Sequence, residues 1–418
     1  MTAAAPPAAS APEAPERATP GGLLLSGLRR GAVQVFLPVA LAGQAIAWLE
    51  YAISGLYHPW SWLKIGMLYT LTSVRVGFEA TAGGFATLTA SRTLEGPMQV
   101  AVGALTVAVV VLAFRAGKEQ GRAVEKRPAA AALAGAAVGL GFALPMFVGA
   151  FLVQLSFPNL GVDSLRPVLW QAFVLPLAAG GALGIAGGLS AARETLERSR
   201  SGARLAAAVR GGFTALWWGL ALAFVGFLVL AAIESGVTGS YARSVRDAGR
   251  GGAVLVTHHA LLLPNQSAMI LATAMGSPTA LTVGADTAAR VSIDGVRAYG
   301  NYRLIVFGIG HRPVSFGWWR WCFLLVPACA TVLGGRRAAR GTESRGEALL
   351  RGGLGGLVFA GLAGLVAWTA TITLPLLVLF GSSPSLGPDP WRTAAVGAAW
   401  GVLGGLLGAL VPEPAPVE

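Results

Sequence analysis

The chain has 418 residues, of which 54% are hydrophobic and only 12% carry a charge, and its formal net charge is +12. An ordinary soluble domain has about 25% charged residues, so this composition excludes a soluble fold. Apolar runs longer than the roughly 18 residues of a minimal transmembrane helix recur along the sequence, which predicts an all-α, polytopic membrane helix bundle. Because the abundant Arg, Ala and Gly together are typical of a high-GC genome, the positive charge does not indicate a nucleic-acid partner.

Both ends of the chain have the composition of disordered segments. Residues 1–28 begin rich in Ala and Pro and lack the apolar core of a signal peptide, so they predict a disordered cytoplasmic tail, and residues 412–418 predict a C-terminal tail. Two stretches with polar interruptions, 56–95 and 235–313, are predicted as excursions between helices. The eight predicted transmembrane helices lie at about 31–55, 97–115, 129–155, 167–191, 211–234, 314–334, 353–380 and 392–411.

Positive charge in the short connections predicts the orientation of these helices. The connections 115–127, 193–210 and 336–351 hold five basic residues each, whereas the two other short connections, 157–167 and 381–391, hold only Arg166, with Arg392 just past the second. The positive-inside rule therefore places the three basic connections and both termini in the cytoplasm, which predicts a multi-pass plasma-membrane protein. With this orientation, the long segment 235–313 must enter and leave on the outer side.

The two halves of the chain share a weak internal similarity. It predicts two parallel membrane repeats of four helices, 29–192 and 211–411, joined by a basic cytoplasmic linker, 193–210. The alternative is a chance match between two sequences rich in Ala and Gly. Three features occur in the same order in each half: an arginine before the first helix (Arg30 and Arg210), a short Ala-Thr-Ala motif (80–84 and 272–276) and a Leu-Gly-x-Asp turn (160–163 and 386–389).

The stretch "HHALLLPNQSAMILATAMG", residues 258–276, is apolar but carries a Pro-Asn-Gln-Ser interruption. Neither arm beside Pro264 is long enough to span about 30 Å of hydrocarbon. We therefore expect the chain to break at Pro264 and to return to the outer side, as a re-entrant or interfacial excursion. Such a break is tolerated only where polar groups find partners.

A ligand site is the functional hypothesis for this break. Asn265, Gln266 and Ser267 follow the proline, and the alignment of the halves places Arg75 and Glu79 of the first excursion opposite them. Discontinuous helices that face each other across a repeat axis commonly form transporter sites. The alternative is that the amide side chains only cap the second arm and close a turn.

The sequence shows no chemical motif that predicts an enzyme. It lacks a nucleophile paired with a base and a phosphate-binding loop, so no catalytic residue and no cofactor are predicted. His258 and His259 are weak candidates for a metal site, because adjacent histidines in a helix diverge by about 100°. No metal is therefore predicted.

Glycines repeat at four-residue intervals in the fourth and eighth predicted helices. This spacing allows close helix packing, and we expect it to join the two halves, with a homo-oligomer as the alternative. The glycines are Gly180, Gly184 and Gly188 in the fourth helix and Gly397, Gly401 and Gly405 in the eighth.

The helix layout, the element "LLLPNQSAMILATAMG" and the composition resemble the streptophobe family, strongly hydrophobic multipass proteins of uncharacterised function from streptomycetes and their relatives. The resemblance covers residues 21–411 and implies neither a substrate nor site residues. The sequence predicts a non-enzymatic scaffold or regulator of the cell envelope, whose partners are the lipid bilayer and envelope proteins or lipids. The alternative is a small-solute or lipid transporter with its site between the two outer excursions.

Overall fold

The structure, a computed structural model, describes residues 20–54, 61–82, 99, 101–124, 127–157, 162–233, 246–247, 249–283, 286–298, 314–315, 318–342, 344–373 and 384–411. The helices are α1 (Pro20–Arg30), α2 (Leu37–Ser54), α3 (Ser61–Thr72), α4 (Gly103–Ala123), α5 (Pro128–Leu152), α6 (Leu169–Ala191), α7 (Arg193–Glu197), α8 (Arg200–Ile233), α9 (Arg250–Met275), α10 (Leu325–Ala339), α11 (Arg345–Ala370) and α12 (Pro390–Leu410). The strands are β1 (Phe78–Ala82), β2 (Leu155–Phe157), β3 (Val162–Pro167), β4 (Thr279–Val283), β5 (Asp286–Ser292), β6 (Gly295–Ala298), β7 (Val314–Ser315), β8 (Ile372–Thr373) and β9 (Pro384–Pro388).

Among the described residues, seven helical segments are long and apolar enough to cross a membrane. The prediction of an integral, multi-pass helical protein is confirmed at this level. The second predicted span, 97–115, corresponds to α4, which carries Arg115, Lys118 and Glu119 in its C-terminal half and is not one of the seven. The seven segments are Gly21–Ile53, Pro128–Leu152, Leu169–Ala191, Arg200–Val229, Arg320–Ala339, Arg345–Ala370 and Pro390–Leu410.

Two segments predicted to be non-helical are helical. Helix α1 begins at Pro20 and continues through a π-helical turn, Gly31–Phe36, into α2, so residues 20–28 are not part of a disordered tail. The predicted linker 193–210 consists of α7 and the start of α8. Charged side chains do not stop a helix when it extends past the apolar layer. The remaining tail residues, 1–19 and 412–418, lie outside the described residues.

The basic connections form one end of the bundle, which we call the basic end. Its acidic side chains bridge separate elements. Glu119 of α4 accepts hydrogen bonds from Arg30 and from Gln34, at 2.9 and 3.1 Å. Glu347 of α11 binds Arg204 of α8 at 2.7 Å. Arg204, one of the cations that predicted the orientation, therefore also connects two helices of the second half.

The glycines of α6 and α12 pack within each half of the chain. Gly184 of α6 faces the backbone of α4 and α5, and Gly405 of α12 faces that of α10 and α11. A Cβ atom at Gly184 would overlap the carbonyl oxygen of Gly135, and one at Gly405 would overlap that of Gly352. The expectation that these glycines join the two halves is wrong. Because these faces are already buried inside the chain, they are not available for a homo-oligomer.

Two small antiparallel sheets lie at the opposite end, which we call the sheet end. Their strand orders are β1-β3-β2 and β7-β6-β5-β4-β9-β8. Strand β1 pairs with β3, which leads into α6, and β4 pairs with β9, which leads into α12. Gln99 and Thr373 form a bridge between the two halves. The sequence predicts none of these strands, because each is at most seven residues long and lacks a long alternating pattern.

Helix α9 is a single helix from Arg250 to Met275, with Pro264 inside it. The predicted chain reversal at Pro264 is therefore wrong. Proline leaves the carbonyl of Ala260 without its helical donor, yet tightly packed helices tolerate this loss. The chain reverses instead at Gly276, where φ is +98°, and continues into β4.

Helix α9 connects the two halves of the bundle. It packs against α2 and α4 of the first half and against α8 and α11 of the second. Leu261 contacts the hydrophobic core of the first half, whereas Leu271 and Met275 belong to the core of the second.

Two of the sequence matches between the halves do not correspond in the structure. Residues 80–82 lie in strand β1, but residues 272–275 end helix α9. Asp163 lies within strand β3, whereas Asp389 is the N-cap of α12. These motifs consist of common small and turn-forming residues, so they recur without marking equivalent positions.

Candidate functional site

A buried polar cluster joins α2, α3 and α9. The Tyr69 hydroxyl donates a hydrogen bond to Glu50 Oε1 at 2.6 Å. His258 Nε2 lies 2.9 Å from Glu50 Oε1 and 2.9 Å from the Tyr69 hydroxyl oxygen. Glu50 is only 1% exposed. We call these three residues the Glu50 cluster.

The hydrogen-bond inventory determines where the proton of the cluster lies. Tyr69 has one hydroxyl proton, and its bond to Glu50 uses it. When Glu50 is ionised, both oxygens near His258 Nε2 then present lone pairs, and the contacts are satisfied by a proton on this nitrogen. A half-exposed imidazole in contact with a buried carboxylate can hold or exchange a proton.

The electrostatic environment favours the charged form of His258. Helix α9 is not one of the seven spanning segments. The hydrogen bond to Glu50 raises the pKa of His258 above its usual value, against an opposing effect of desolvation. The cluster therefore couples the charge of an imidazole on α9 to a carboxylate on α2.

Asn265 lies two helical turns after His258, on the same side of α9. It is 4% exposed, and its Nδ2 donates to the carbonyl oxygen of Ala101 at 2.9 Å. Its Oδ1 is buried and has no hydrogen-bond partner among the described atoms. A Cβ atom at Gly103 would overlap this oxygen, so glycine is required where α4 begins. Asn265 thus presents an unused acceptor between α9 and α4.

Arg75 connects the first half to α11 of the second. It follows α3 with φ of +62°, a left-handed conformation that is uncommon for a residue with a side chain. Its guanidinium lies 4.6 Å from the centre of the Trp368 ring, and Nη1 donates to the Trp368 carbonyl oxygen. Arg75 is 5% exposed, and its Nε lacks a hydrogen-bond partner. A cation is therefore buried between the halves.

The five residues predicted to bind a ligand lie on three parts of the chain: Arg75 after α3, Glu79 on β1, and Asn265, Gln266 and Ser267 on α9. Among the described residues, no hydrogen bond or ion pair joins any two of them. Ser267 donates to the carbonyl oxygen of Leu263 within α9. Glu79 is exposed on β1, where its strand partner is Arg166. Gln266 is half-buried on α9. Only Arg75 and Asn265 lie buried between elements of the two halves.

The predicted metal candidates have different environments. His258 belongs to the Glu50 cluster, whereas His259 is exposed. In the described part of the chain, no three His, Cys, Asp or Glu side chains are grouped as metal ligands. The proximity of the two histidines in sequence therefore does not translate into a shared site.

Sequence reasoning missed the Glu50 cluster, although one signal was present. Glu50 is the acidic residue of an apolar helical segment, Gly21–Ile53. A carboxylate in such a segment is a functional-site hypothesis by default. Its partners Tyr69 and His258 are 19 and 189 residues away in the chain, so no local pattern identifies them.

Comparison with known proteins gives no relative from which a function can be transferred. No family model, curated protein or solved structure matches the chain. The function is therefore argued from the buried polar groups between the two halves.

Proposed function

We propose that this membrane protein is a carrier for a small solute, with its site between the two halves of the bundle. The observation that carries this proposal is the Glu50 cluster: a buried carboxylate bound by side chains from two other elements, one of them α9. Buried charge in a membrane bundle is costly and usually marks a substrate, ion or proton pathway. Arg75 and the unpaired Oδ1 of Asn265 add polar groups at the same interface.

The proposal includes an internal repeat, which equivalent contacts support. The register pairs Phe78 with Pro167 in one sheet and Thr279 with Pro388 in the other. In both halves, the paired strand residue follows a residue with positive φ by three positions. Arg75 precedes Phe78 in this way, and Gly276 precedes Thr279. Glycine packing of α6 and α12 against their neighbouring helices follows the same plan.

The repeat in turn supports a re-entrant role for α3 and for the end of α9. Each is a helix followed by a left-handed residue and a strand that returns to the sheet end. Gly66 of α3 packs against Gln44, and Leu271 of α9 packs against Gly219, which lies well inside α8. Both helix ends therefore reach into the bundle. We place the sheet end outside the cell and both termini in the cytoplasm by the positive-inside rule.

A proton-coupled mechanism is consistent with the chemistry of the cluster. Protonation of Glu50 or His258 would change the hydrogen bonds that hold α9 against α2 and α3. Because the same helix packs on the second half, such a change would alter the contact between the halves. A carrier needs two states that a ligand or proton favours differently.

Transport in proteoliposomes tests this proposal. Panels of amino acids, sugars, nucleosides and carboxylates are first screened for thermal stabilisation of the purified full-length protein. Each solute that stabilises is then tested as a labelled substrate under an imposed pH gradient. We expect Glu50→Gln to abolish gradient-driven uptake, whereas Glu79→Gln, at an exposed position of β1, retains it. The proposal would be contradicted if no solute of any panel is transported. Equal uptake by Glu50→Gln and Glu79→Gln would also contradict a carrier that uses Glu50.

An envelope scaffold or regulator is the second candidate, and the six-stranded sheet favours it. This sheet assembles strands from 279–298, 314–315, 372–373 and 384–388 at the sheet end, where an envelope partner would dock. Crosslinking in intact cells, from a photoreactive residue at exposed Arg290, would capture such a partner. A crosslink to one envelope protein, without transport of any solute, would favour the scaffold.

Two further predictions belong to the same proposal. We propose, from the sequence alone, that the chain is similar to the streptophobe family and that its role is non-enzymatic. Neither is needed for the transport argument, which depends on the Glu50 cluster and on the position of α9.

A further inference from the structure

A polar cavity of about 290 Å³ lies at the sheet end, separate from the Glu50 cluster. It is formed where the end of α9, the turn between β5 and β6 and the first turn of α12 meet. This volume is near the lower limit of small-molecule sites, about 300 Å³. The lining residues are Thr273, Gly276, Pro278, Arg290, Ser292, Ile293, Asp294 and Arg392.

Two guanidinium groups in this cavity are uncompensated. Among the described residues, neither the Arg290 nor the Arg392 side chain forms a hydrogen bond or an ion pair. Asp294 is the one acidic lining residue, and it already faces Arg320, with Nε and Oδ1 3.9 Å apart. The cavity therefore carries an excess of positive charge that an anionic ligand would neutralise.

Guanidinium groups are suited to phosphate. Each offers planar N–H donors that match the oxygen geometry of a phosphate in bidentate contacts. Ser292 and Thr273 add hydroxyl groups to the same lining. A carboxylate would also accept these bonds, but two guanidinium groups match the larger charge and the additional oxygens of a phosphate.

Exposed tryptophans indicate the depth of the cavity. Trp391 precedes Arg392 at the start of α12 and is 86% exposed, and Trp321 follows Arg320 and is 51% exposed. Exposed tryptophans at the ends of membrane helices are typical of the headgroup layer. The cavity thus opens at the depth where phospholipid phosphates lie.

We propose that this cavity binds the phosphate of an anionic phospholipid headgroup, with Arg290 and Arg392 as its ligands. The proposal is independent of the carrier function, since no residue of the Glu50 cluster lines the cavity. The bound lipid would bridge α12 and the six-stranded sheet and would stabilise the sheet end in a membrane that contains anionic lipid.

Native mass spectrometry of the full-length protein in detergent tests this site. Delipidated protein is titrated with phosphatidylglycerol or phosphatidylcholine, and a third arm adds inorganic phosphate as competitor. We expect phosphatidylglycerol to be retained in preference to phosphatidylcholine. Loss of one charged hydrogen-bonding partner, in Arg290→Gln or Arg392→Gln, should weaken phosphatidylglycerol binding about tenfold. Arg166→Gln, at an exposed position of β3, removes the same charge elsewhere and should bind like the wild type.

Other results would overturn the proposal. Equal retention of the two lipids would show that the arginines do not bind the anionic headgroup. Unchanged binding by both Arg290→Gln and Arg392→Gln would show the same. Displacement of lipid by millimolar inorganic phosphate would assign the site to a soluble phosphate compound instead. If the arginine variants fail to fold, Asp294→Asn gives an independent test, because loss of a negative charge at the cavity should tighten phosphatidylglycerol binding. Unchanged or weaker binding in that variant would also contradict the site.

Discussion

Replacement of His258 by alanine should destabilise the protein through the buried carboxylate that it leaves behind. Removal of one partner from a buried ion pair costs about 3–5 kcal/mol. The Glu50 side chain is 2% exposed, but that of His258 is 43% exposed, so water can partly replace the imidazole. We therefore expect a loss of about 2 kcal/mol, below the fully buried range. Glu50→Gln retains the size of the side chain and should cost about 1 kcal/mol.

A double-mutant cycle separates this pair from general effects of the substitutions. In the double variant, His258→Ala no longer leaves a buried charge without a partner. The double variant should therefore lose about 1 kcal/mol less stability than the sum of the two single losses. Thermal unfolding in detergent, followed by tryptophan fluorescence, would show the melting temperature falling by about 1 °C for each kcal/mol lost, because the shift per kcal/mol decreases with chain length. His259→Ala, at the adjacent exposed position, is the matched control.

The same variant predicts a pH dependence with a definite sign. The pKa of His258 is raised in the folded protein, so its stabilising contribution is complete below the unfolded value of about 6.5 and disappears as the pH rises through the raised pKa. The difference between the wild type and His258→Ala should therefore be larger at pH 6 than at pH 9. The reasoning would be refuted if the losses of Glu50→Gln and His258→Ala added within about 0.5 kcal/mol. It would also be refuted if His258→Ala and His259→Ala lowered the stability equally.

Three further substitutions test the packing, the turn and the orientation. Gly184→Ala should lower the folded yield in size-exclusion chromatography, because its Cβ overlaps the backbone of α5, whereas Gly361→Ala, with open space around it, should not. Gly276→Ala should lower the melting temperature by about 1–2 °C, because its φ of +98° costs a side chain roughly 1–2 kcal/mol although space is available. With both native cysteines replaced, a membrane-impermeant maleimide should label a cysteine at exposed Glu79 in intact cells, and one at exposed Ser201 only after permeabilisation.

The positions of the membrane-spanning helices were predictable, because they depend on the average hydropathy of long segments. Predicted spans at 129–155 and 392–411 lie within three residues of α5 and α12 at both ends, since proline, charge and apolar length all change there. The start of α8 was not predictable in this way. Its first turns are charged and lie beyond the apolar layer, where hydropathy gives no signal for a helix.

The break at Pro264 failed as a prediction for a different reason. A proline followed by Asn and Gln is a strong local signal for a turn. In the bundle, Asn265 instead finds a partner on Ala101, outside its own helix, and Ser267 bonds back to Leu263. Tertiary contacts thus satisfied the polar groups that the local pattern assigned to a turn, and Gly276 provided the reversal eleven residues later.

The continuity of α9 has a mechanical consequence for the proposed carrier. A helix of 26 residues is about 39 Å long and moves as a rod, because each turn is hydrogen-bonded to the next. His258 near one end binds the first half, while the Met275 carbonyl oxygen at the other end accepts a hydrogen bond from Trp400 of the second half at 3.0 Å. A break at Pro264 would let the two ends move independently. An unbroken rod instead requires any separation of the halves to disrupt one of these two contacts, and the contact at His258 is the one whose strength depends on protonation.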